Sequence, residues 1–558
     1  MRMMASPDAL ESGVAAPAIA ARAAPGAMQS SYDEIPYPSK PFPQSHPDRA
    51  ATVAGLYGLD PARVDSCRVL ELGCAHGDNL IPLALRFPQA RFTGVDRSTV
   101  QIDAARAVSA ELGIDNLTLL AADLMDLGPA LGEFDYIVAH GVFSWVPFSV
   151  RKRILELCQR HLSPAGIAYV SYNVYPGWHA RRAVREFLLF HTAAFTDPIE
   201  KMRQAKAALD VMEQAFQSTR FDDLKTYSAP FAELAQLVRQ GGDAGLSYLF
   251  HEYLEEENEP MEFRAFVDLA RENGLQFVSE ANVFDMQAGP LPEPMARVIA
   301  GLQHDVERRE QYRDYFSGRS FRQTLLCRAG AKPAREIDPR RLYELNVTGR
   351  LECSDPAADP GAPAPLRFKD GRGVESTVDD PITKSALQVL CEHWPASLSF
   401  AELQQRARAR LQRDPVRVEA VADYERDTLL LAHHLSALYQ AGSIELARVA
   451  APIALTAGER PRAGAWTRHA AARGRQVVNL RYEVVDVSCF DRRLLALLDG
   501  TRDRAQLAEA LAHAAIDEPL AVIAGGRRLE ERTEIHDALA AQLDADLQRL
   551  ARRALLES

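Results

Sequence analysis

Carboxylates and glycines recur at ordered stations in the first third of this 558-residue chain. Glu71-x-Gly73-x-x-x-Gly77 sits at the end of the apolar run 69–72, and Asp96 closes Phe92-Thr93-Gly94-Val95. Asp123 follows the run 117–121, and His140-Gly141 follows Phe134-Asp135-Tyr136-Ile137-Val138-Ala139. Glycines let backbone pass close to a ligand or take positive φ. A helix start beyond such a turn offers free N–H groups and a positive dipole end. Asp96 lies 23 residues beyond Gly73, near the ~20-residue offset at which a carboxylate reaches ribose hydroxyls. The chemistry indicated is the grip on a nucleoside. A dinucleotide fold would prefer G-x-G-x-x-G, which is absent here, so hydride transfer is disfavoured.

Such stations need strands to carry them. The runs 68–72, 91–95, 117–121, 134–139 and 166–172 pattern as strands. Helical segments over 79–86, 99–112 and 150–161 alternate with them, with a short or broken one within 123–132. That alternation argues for a parallel sheet with helices on both faces. Ser98 with Gln101 has the form of a capping box, and Ser45 stands as N-cap before Pro47. From 180 to 257 the periodicity is helical only, over 180–192, 197–216 and 230–239. A helix over 260–273 and strands over 275–278 and 321–328 follow, so the helical stretch reads as an insertion before the last two strands. A proline-stiffened arm with three aromatics, 31–44, precedes the core; it fits a cover over a pocket mouth and a surface segment equally well.

Composition narrows the function classes. Hydrophobic content of 47% and charged content of 25% are those of a globular protein. A net charge of −12 disfavours broad binding to nucleic acid. Seven scattered cysteines without a C-x-x-C pair argue against a disulfide framework or structural zinc, and for a reducing, cytoplasmic setting. No apolar run approaches the ~20 residues that span a bilayer. In the C-terminal part, helices over 382–393, 399–411 and 427–441 with a strand over 443–447 fit a winged-helix unit, and 490–498, 504–514 and 532–555 repeat that order. The third helix has no Lys or Arg after Asp427, which favours protein packing over a DNA groove; Arg406, Arg408, Arg410 and Arg413 on the second helix read as a solvated face or a basic one.

The ordered set at the strand ends resembles the class I S-adenosylmethionine-dependent methyltransferases. A closer resemblance is to a bacterial subgroup with a methyltransferase regulatory domain, which includes the rickettsial protein-lysine methyltransferases of outer-membrane proteins. It is carried by 31–48, by 140–147 (H-G-V-F-S-W-V-P), by 171–179 (S-Y-N-V-Y-P-G-W-H), by 251–263 (H-E-Y-L-E-E-E-N-E-P-M-E-F) and by 321–327 (F-R-Q-T-L-L-C). The resemblance implies S-adenosyl-L-methionine as cofactor. Glu71, Gly73, Cys74, Ala75 and Gly77 would pass under its methionine part, Asp96 would hold the ribose, Asp123 with Leu124 would meet the adenine, and His140 would lie near the sulfonium. Ala75 replaces the middle glycine of the usual E-x-G-x-G-x-G. The fold expected is α/β, a Rossmann-like seven-stranded methyltransferase sheet with a helical insertion, followed by winged-helix-like α+β units. Its divisions are a disordered tail over 1–30, the cofactor-binding core over 31–179, the insertion over 180–259 and the last helix and strands over 260–330. A linker with a small β element (331–377), a winged-helix-like domain (378–450), a linker (451–475) and a second such domain (476–558) complete it.

Methyl transfer from a sulfonium needs an aligned nucleophile and excluded water. A lysine nucleophile must also be neutral, which a desolvating aromatic pocket favours. Phe143, Trp145, Tyr172, Tyr175 and Trp178 stand where strands four and five end, with Asn173 and His179 as polar candidates for orientation or proton acceptance. Trp145, Asn173, Tyr175, Trp178 and His179 are therefore the expected catalytic set, and lysine of a protein the expected target. A small molecule or RNA as methyl acceptor, or a non-catalytic cofactor-sensing scaffold, are the other readings, and the C-terminal units leave room for a homodimer. The acidic stretch after His251 (Glu252, Glu255, Glu256, Glu257, Glu259) admits three: a surface for a basic protein substrate, a solvated loop, or a metal site whose second ligand cluster is not visible.

Overall fold

Buried apolar runs account for the sheet at the centre of the first half of the chain. In the computed structural model, β1 (Arg68–Leu72), β2 (Arg91–Asp96), β3 (Leu117–Ala121), β4 (Phe134–Ala139), β5 (Leu162–Asn173), β6 (Leu275–Glu280) and β7 (Phe321–Arg328) stand in the order β3-β2-β1-β4-β5-β7-β6. β1 to β5 pair in parallel, and β7 is antiparallel to both β5 and β6. This is the seven-stranded sheet expected. Every residue of β4 is buried, as a central strand covered on both faces requires. β5 begins earlier than its apolar run, because Leu162 pairs with Phe134 across an irregular register before regular pairing resumes at Ile167.

The structure describes residues 2–5, 35, 39–218, 222–287, 291–302, 304–412, 424–517, 520–524, 527–529 and 531–558. Two units emerge: 28–40 with 44–337, and 1–27, 41–43 and 338–558. In the first unit, α1 (Pro47–Leu56), α2 (Ile81–Arg86), α3 (Thr99–Glu111) and α4 (Phe148–His161) accompany the strands. Ser45 is not the cap of α1. His46 is, accepting the Asp48 N–H on Nδ1 at 3.0 Å, while buried Ser45 bonds the Asn79 side chain. The insertion is α5 (Gly177–Thr192), α6 (Pro198–Ser218) and α7 (Asp222–Tyr253). The segment 230–239 is thus part of a far longer element, which breaks at Gly242, where φ is +53°. Val184 and Leu188 of α5, Leu209 of α6 and Phe231, Leu234 and Phe250 of α7 give the insertion its own core. α8 (Phe263–Glu272) then buries Phe263, Phe266, Val267 and Ala270, one helical face, against the sheet.

The second unit carries helices Pro381–His393, Phe400–Gln412 and Tyr424–Gln440 beside a three-stranded sheet of Leu398–Ser399, Asn346–Thr348 and Glu445–Ala447. The three helices and the last strand stand where expected, while the middle strand, Asn346–Thr348, comes from the stretch expected as a linker. Cys489–Leu497, Arg504–Asp517 and Arg532–Arg552 form the second helical set. The arginines of the second helix are not a free basic face: Arg408 is buried and pairs with Asp427 at 3.3 Å, and Arg410 pairs with Glu392 at 2.6 Å. Arg413 lies outside the described residues. Of the tail expected over 1–30, Arg2–Ala5 is described as a strand antiparallel to Leu520–Ala524, and the rest lies outside the described residues. Among the described residues no helix is long and apolar enough to cross a membrane.

The far edge of the sheet is held by charge. Arg322 on β7 is 1% exposed. Its guanidinium donates to Glu280 of β6 at 2.6 Å and to both carboxylate oxygens of Asp314 at 2.8 and 2.9 Å. It also donates to the Glu310 carbonyl at 3.0 Å and lies 3.9 Å over the Phe263 ring of α8. Asp314 and Glu310 belong to α10 (Val306–Ser317), which follows α9 (Glu293–Gly301). Burial pushes the Glu280 carboxyl up, but Arg322, Arg319 and the Gln323 N–H outweigh it and hold it below its usual range. Arg322→Met would leave those carboxylates uncompensated, at a cost of roughly 3–5 kcal/mol. Urea unfolding of the variant should show a lower midpoint, with protection from hydrogen exchange lost first in β6, β7 and α10. An unchanged midpoint would contradict this.

Candidate functional site

The turn after β1 is built from backbone that leaves no room for side chains. Gly73 has φ +79°, and a Cβ there would stand 2.3 Å from the Val142 Cγ2, in the segment after β4. The Gly73 and Cys74 N–H groups both bond the Val95 carbonyl, at 2.8 and 3.1 Å. Ala75, at the middle-glycine position, takes φ +48°. Its N–H donates to Asp96 Oδ2 at 2.9 Å, and the Ser98 N–H donates to Asp96 Oδ1 at 2.9 Å. Asp96 thus fastens the turn to the start of α3, and each of its oxygens keeps a lone pair for a further donor. The Cys74 thiol is buried; a Cβ on Gly94 would come within 2.7 Å of it, so this side chain packs inward while its backbone lines the turn.

Two buried polar atoms at this corner have no partner among the described residues. Glu71 is 3% exposed; Asn79 donates to its Oε1 at 2.8 Å, while Oε2 is unpaired. Burial pushes the Glu71 carboxyl up to about 8, and Asp96 and Asp78 add to this against the Asn79 hydrogen bond. Gln101 does not complete a capping box. Its N–H reaches Ser98 Oγ at 3.2 Å, but the Ser98 N–H is taken by Asp96, and the buried Gln101 Nε2 has no acceptor. Asp123 caps the turn Leu124–Asp126 by accepting the Met125 N–H at 2.9 Å, with Leu124 packed on the core. His140 bonds the Tyr169 hydroxyl through Nδ1 at 2.8 Å, and its ring packs on Tyr169 and Phe321. Burial, with Lys40 nearby, lowers its pKa to about 3, so it is a neutral imidazole at physiological pH. Unpaired acid, ribose-ready carboxylate and narrow glycine cradle fit a nucleoside bearing an ammonium group.

The arm before α1 reaches this corner: Ile35 accepts from His251 Nε2 at 2.7 Å, Ser39 bonds Asp78, and Lys40 lies near His140. Other residues of the arm, 31–34 and 36–38, lie outside the described residues. Both nitrogens of His251 are engaged, Nδ1 with Glu255 at 3.0 Å. Among the described residues no three His, Cys, Asp or Glu side chains come together in a way that could hold a metal ion.

The second group of candidates gathers at the end of β5. Trp145 packs edge-on to Trp178 at 6.3 Å, and Tyr253 backs Trp178 at 6.4 Å. Trp178 is 1% exposed and Trp145 half-buried, so Trp145 presents the ring surface and Trp178 supports it. Tyr175 stacks on exposed His179 at 4.2 Å and accepts from Arg182 at 3.0 Å. Asn173 is buried; its N–H donates to Ser144 Oγ at 2.8 Å and its side chain reaches Asn258 at 3.4 Å. Phe143 and Tyr172 are not pocket walls. They sandwich Phe266 of α8 within the core. Gly177 admits no side chain, because the Gly318 carbonyl would lie 2.4 Å from its Cβ. Sequence reasoning passed over Arg181, set 5.8 Å over Trp178, and the buried Arg151 and Arg185. Arg185 was legible in one respect: it falls on the stripe Trp178, Arg185, Leu188, Thr192 that α5 buries.

Three family models match the chain: a methyltransferase domain over 69–166, a predicted methyltransferase regulatory domain over 246–328, and a PKMT C-terminal winged helix domain over 459–555. An uncharacterized protein of Rickettsia prowazekii (strain Madrid E) is 31% identical over 543 residues, 94% of this chain and 93% of its own length. The trans-aconitate 2-methyltransferase of Deinococcus radiodurans is 32% identical over 122 residues, 22% of this chain and 43% of that protein. The solved structure of PKMT2 from Rickettsia typhi, also known in complex with AdoHcy, matches with a TM-score of 0.79 at 25% identity, over 93% of this chain and 100% of that one.

Two outcomes follow from the corner geometry. Gly73→Ala should weaken AdoHcy binding by calorimetry at least about tenfold, since strain at positive φ adds to the clash; Val142→Ala in the same chain should restore part of it. Glu71, with a folded pKa raised above its unfolded value, contributes full stability below about pH 4.5, and that contribution falls as pH rises toward about 8. Glu71→Gln should remove that slope from the unfolding midpoint measured across this range.

Proposed function

The chain belongs to the class I S-adenosylmethionine-dependent methyltransferases that carry a methyltransferase regulatory domain, and from that membership we propose that it methylates lysine side chains of a protein substrate. The observation that carries this reading is the aromatic mouth at the end of β5, where Trp145 stands against Trp178 beside Asn173 and Tyr175. The full-length likeness to PKMT2 supports it.

S-adenosylmethionine, when bound, supplies an electrophilic methyl group on a sulfonium, displaced in line by the nucleophile. Gly73 to Gly77, with Glu71 beneath, would hold its methionine part, Asp96 the ribose, Asp123 and Leu124 the adenine, with His140 close to the sulfonium. The remaining work is done by the substrate side. Trp145 and Tyr175 cover the incoming side chain with ring faces that attract an ammonium during approach. The same apolar walls exclude water and disfavour the charged amine, so the nucleophile loses its proton more readily there. Asn173, fixed through Ser144, orients the amine. Tyr175, tied by Arg182 and stacked on His179, forms the solvent-facing side, and His179 would be the group that accepts the released proton.

The test is incubation with methyl-labelled S-adenosylmethionine and a cell lysate, followed by hydrolysis of the labelled fraction. Label should be recovered as methyllysine, and Trp145→Ala should lower kcat/KM by about 10- to 100-fold, the scale of lost positioning. Label found only in small molecules or RNA would rule out the protein substrate.

A further inference from the structure

Beside the aromatic mouth lies a strip, residues 255–262, in which five of eight residues are glutamate: Glu255, Glu256, Glu257, Glu259 and Glu262. Its backbone is fastened to the reaction side of the sheet. Arg185 donates to the carbonyls of Glu255 and Glu256, the latter at 2.9 Å. The Glu259 N–H bonds the Ser144 carbonyl at 2.9 Å. The Met261 N–H bonds the Asn173 carbonyl at 3.1 Å, and the Met261 carbonyl accepts from Tyr175 at 3.2 Å. Glu256, Glu257 and Glu259 are exposed, and none makes a side-chain hydrogen bond or ion pair among the described residues. Three carboxylates that cannot separate concentrate negative potential beside Asn173 and Tyr175, and such a field draws cationic groups.

An independent observation concerns donors. Among the described residues, Arg185 Nη1, Arg151 Nη2 and Trp178 Nε1 have no acceptor, although these residues are only 6%, 5% and 1% exposed. Arg185 already grips the strip, and Arg151, which holds the Val146 carbonyl through Nε at 2.9 Å, faces Glu259 and Glu257. A buried donor left unpaired costs about 1–3 kcal/mol, so acceptors are due at this place. An extended polypeptide supplies them as backbone carbonyls, at every residue, while its basic side chains meet the glutamates. A nucleic acid would bring phosphates against the same carboxylates and be repelled.

We propose that residues 255–262 dock the substrate as an extended polypeptide segment carrying Lys or Arg within a few residues of the methylated lysine. This rests on the lysine reading above. The experiment uses the full chain and three fluorescent peptides, each with one target lysine flanked by arginine, by serine or by glutamate. Without cofactor, anisotropy should show the arginine-flanked peptide binding at least about tenfold tighter than the glutamate-flanked one, with the difference shrinking between ~50 and ~300 mM salt as charge is screened. With cofactor, the combined substitution Glu256→Gln, Glu257→Gln and Glu259→Gln should raise KM for the arginine-flanked peptide about tenfold and remove most of the preference, while kcat and KM for S-adenosylmethionine stay within about twofold. Equal binding of the three peptides, or a preference that survives the triple substitution, overturns the docking strip and leaves lysine methylation standing. Methylation of none of the peptides overturns both.

Discussion

A single buried guanidinium, that of Arg322, governs how the substrate half of the first unit is put together. It joins β6, β7, α8 and α10, elements separated by up to sixty residues of chain, through hydrogen bonds that leave it almost no exposed surface. β7 in turn lies against β5 in register, with Phe321 opposite Asn173. Just before Phe321, the Ser320 and Arg319 carbonyls accept the Val174 and Gly177 N–H groups at 3.0 and 2.9 Å. The position of the aromatic mouth is therefore inherited from a charge cluster on the other side of β7. An apolar core of the same volume could be as stable, but it would not fix the direction in which β7 presents these carbonyls.

The cofactor corner is organised by the opposite means. Its anchor is one half-exposed carboxylate, Asp96, which ties two backbone N–H groups and leaves the rest of its hydrogen-bonding capacity open. Strain is accepted here: Ala75 sits at positive φ, a conformation L-residues avoid by roughly 1–2 kcal/mol, and the Asp96 bond to its N–H offsets that cost. The two halves meet at Ser144. Its hydroxyl accepts from Asn173 and its carbonyl from Glu259, so the loop after β4, the end of β5 and the end of the insertion share one residue.

The strands and the acids at their ends were legible in the sequence because both follow from local pattern: apolar runs of strand length, then glycine and carboxylate. The seven-stranded sheet and the winged-helix unit were legible for the same reason. What local pattern did not give was partnership. Ser45 looks like a helix cap and instead bonds Asn79, 34 residues away. Gln101 looks like half of a capping box, yet Asp96 competes for the other half. Phe143 and Tyr172 are aromatic residues near the mouth, and only the packing of α8 turns them into core. Beyond the stripe on which Arg185 falls, nothing in the local pattern marks Arg151 and Arg185, whose burial and the carbonyls they serve come only with the fold. The acidic run was visible as composition; its backbone attachment to Asn173 and Tyr175 was not.

That attachment has an architectural consequence. The chain leaves the sheet at Val174 and returns at Met261, and these two residues bridge one another in parallel. The whole helical insertion is thus a loop with its neck tied shut. Closing entropy grows only slowly with loop length once the neck is fixed. α6 and the part of α7 before His251 can be lengthened, shortened or exchanged without disturbing the cofactor corner, whereas α5 is bound to the end of β5 through Trp178 and Arg185. A lineage could in this way change which molecules it acts upon by editing one cassette, while the machinery that carries the methyl group is passed on intact.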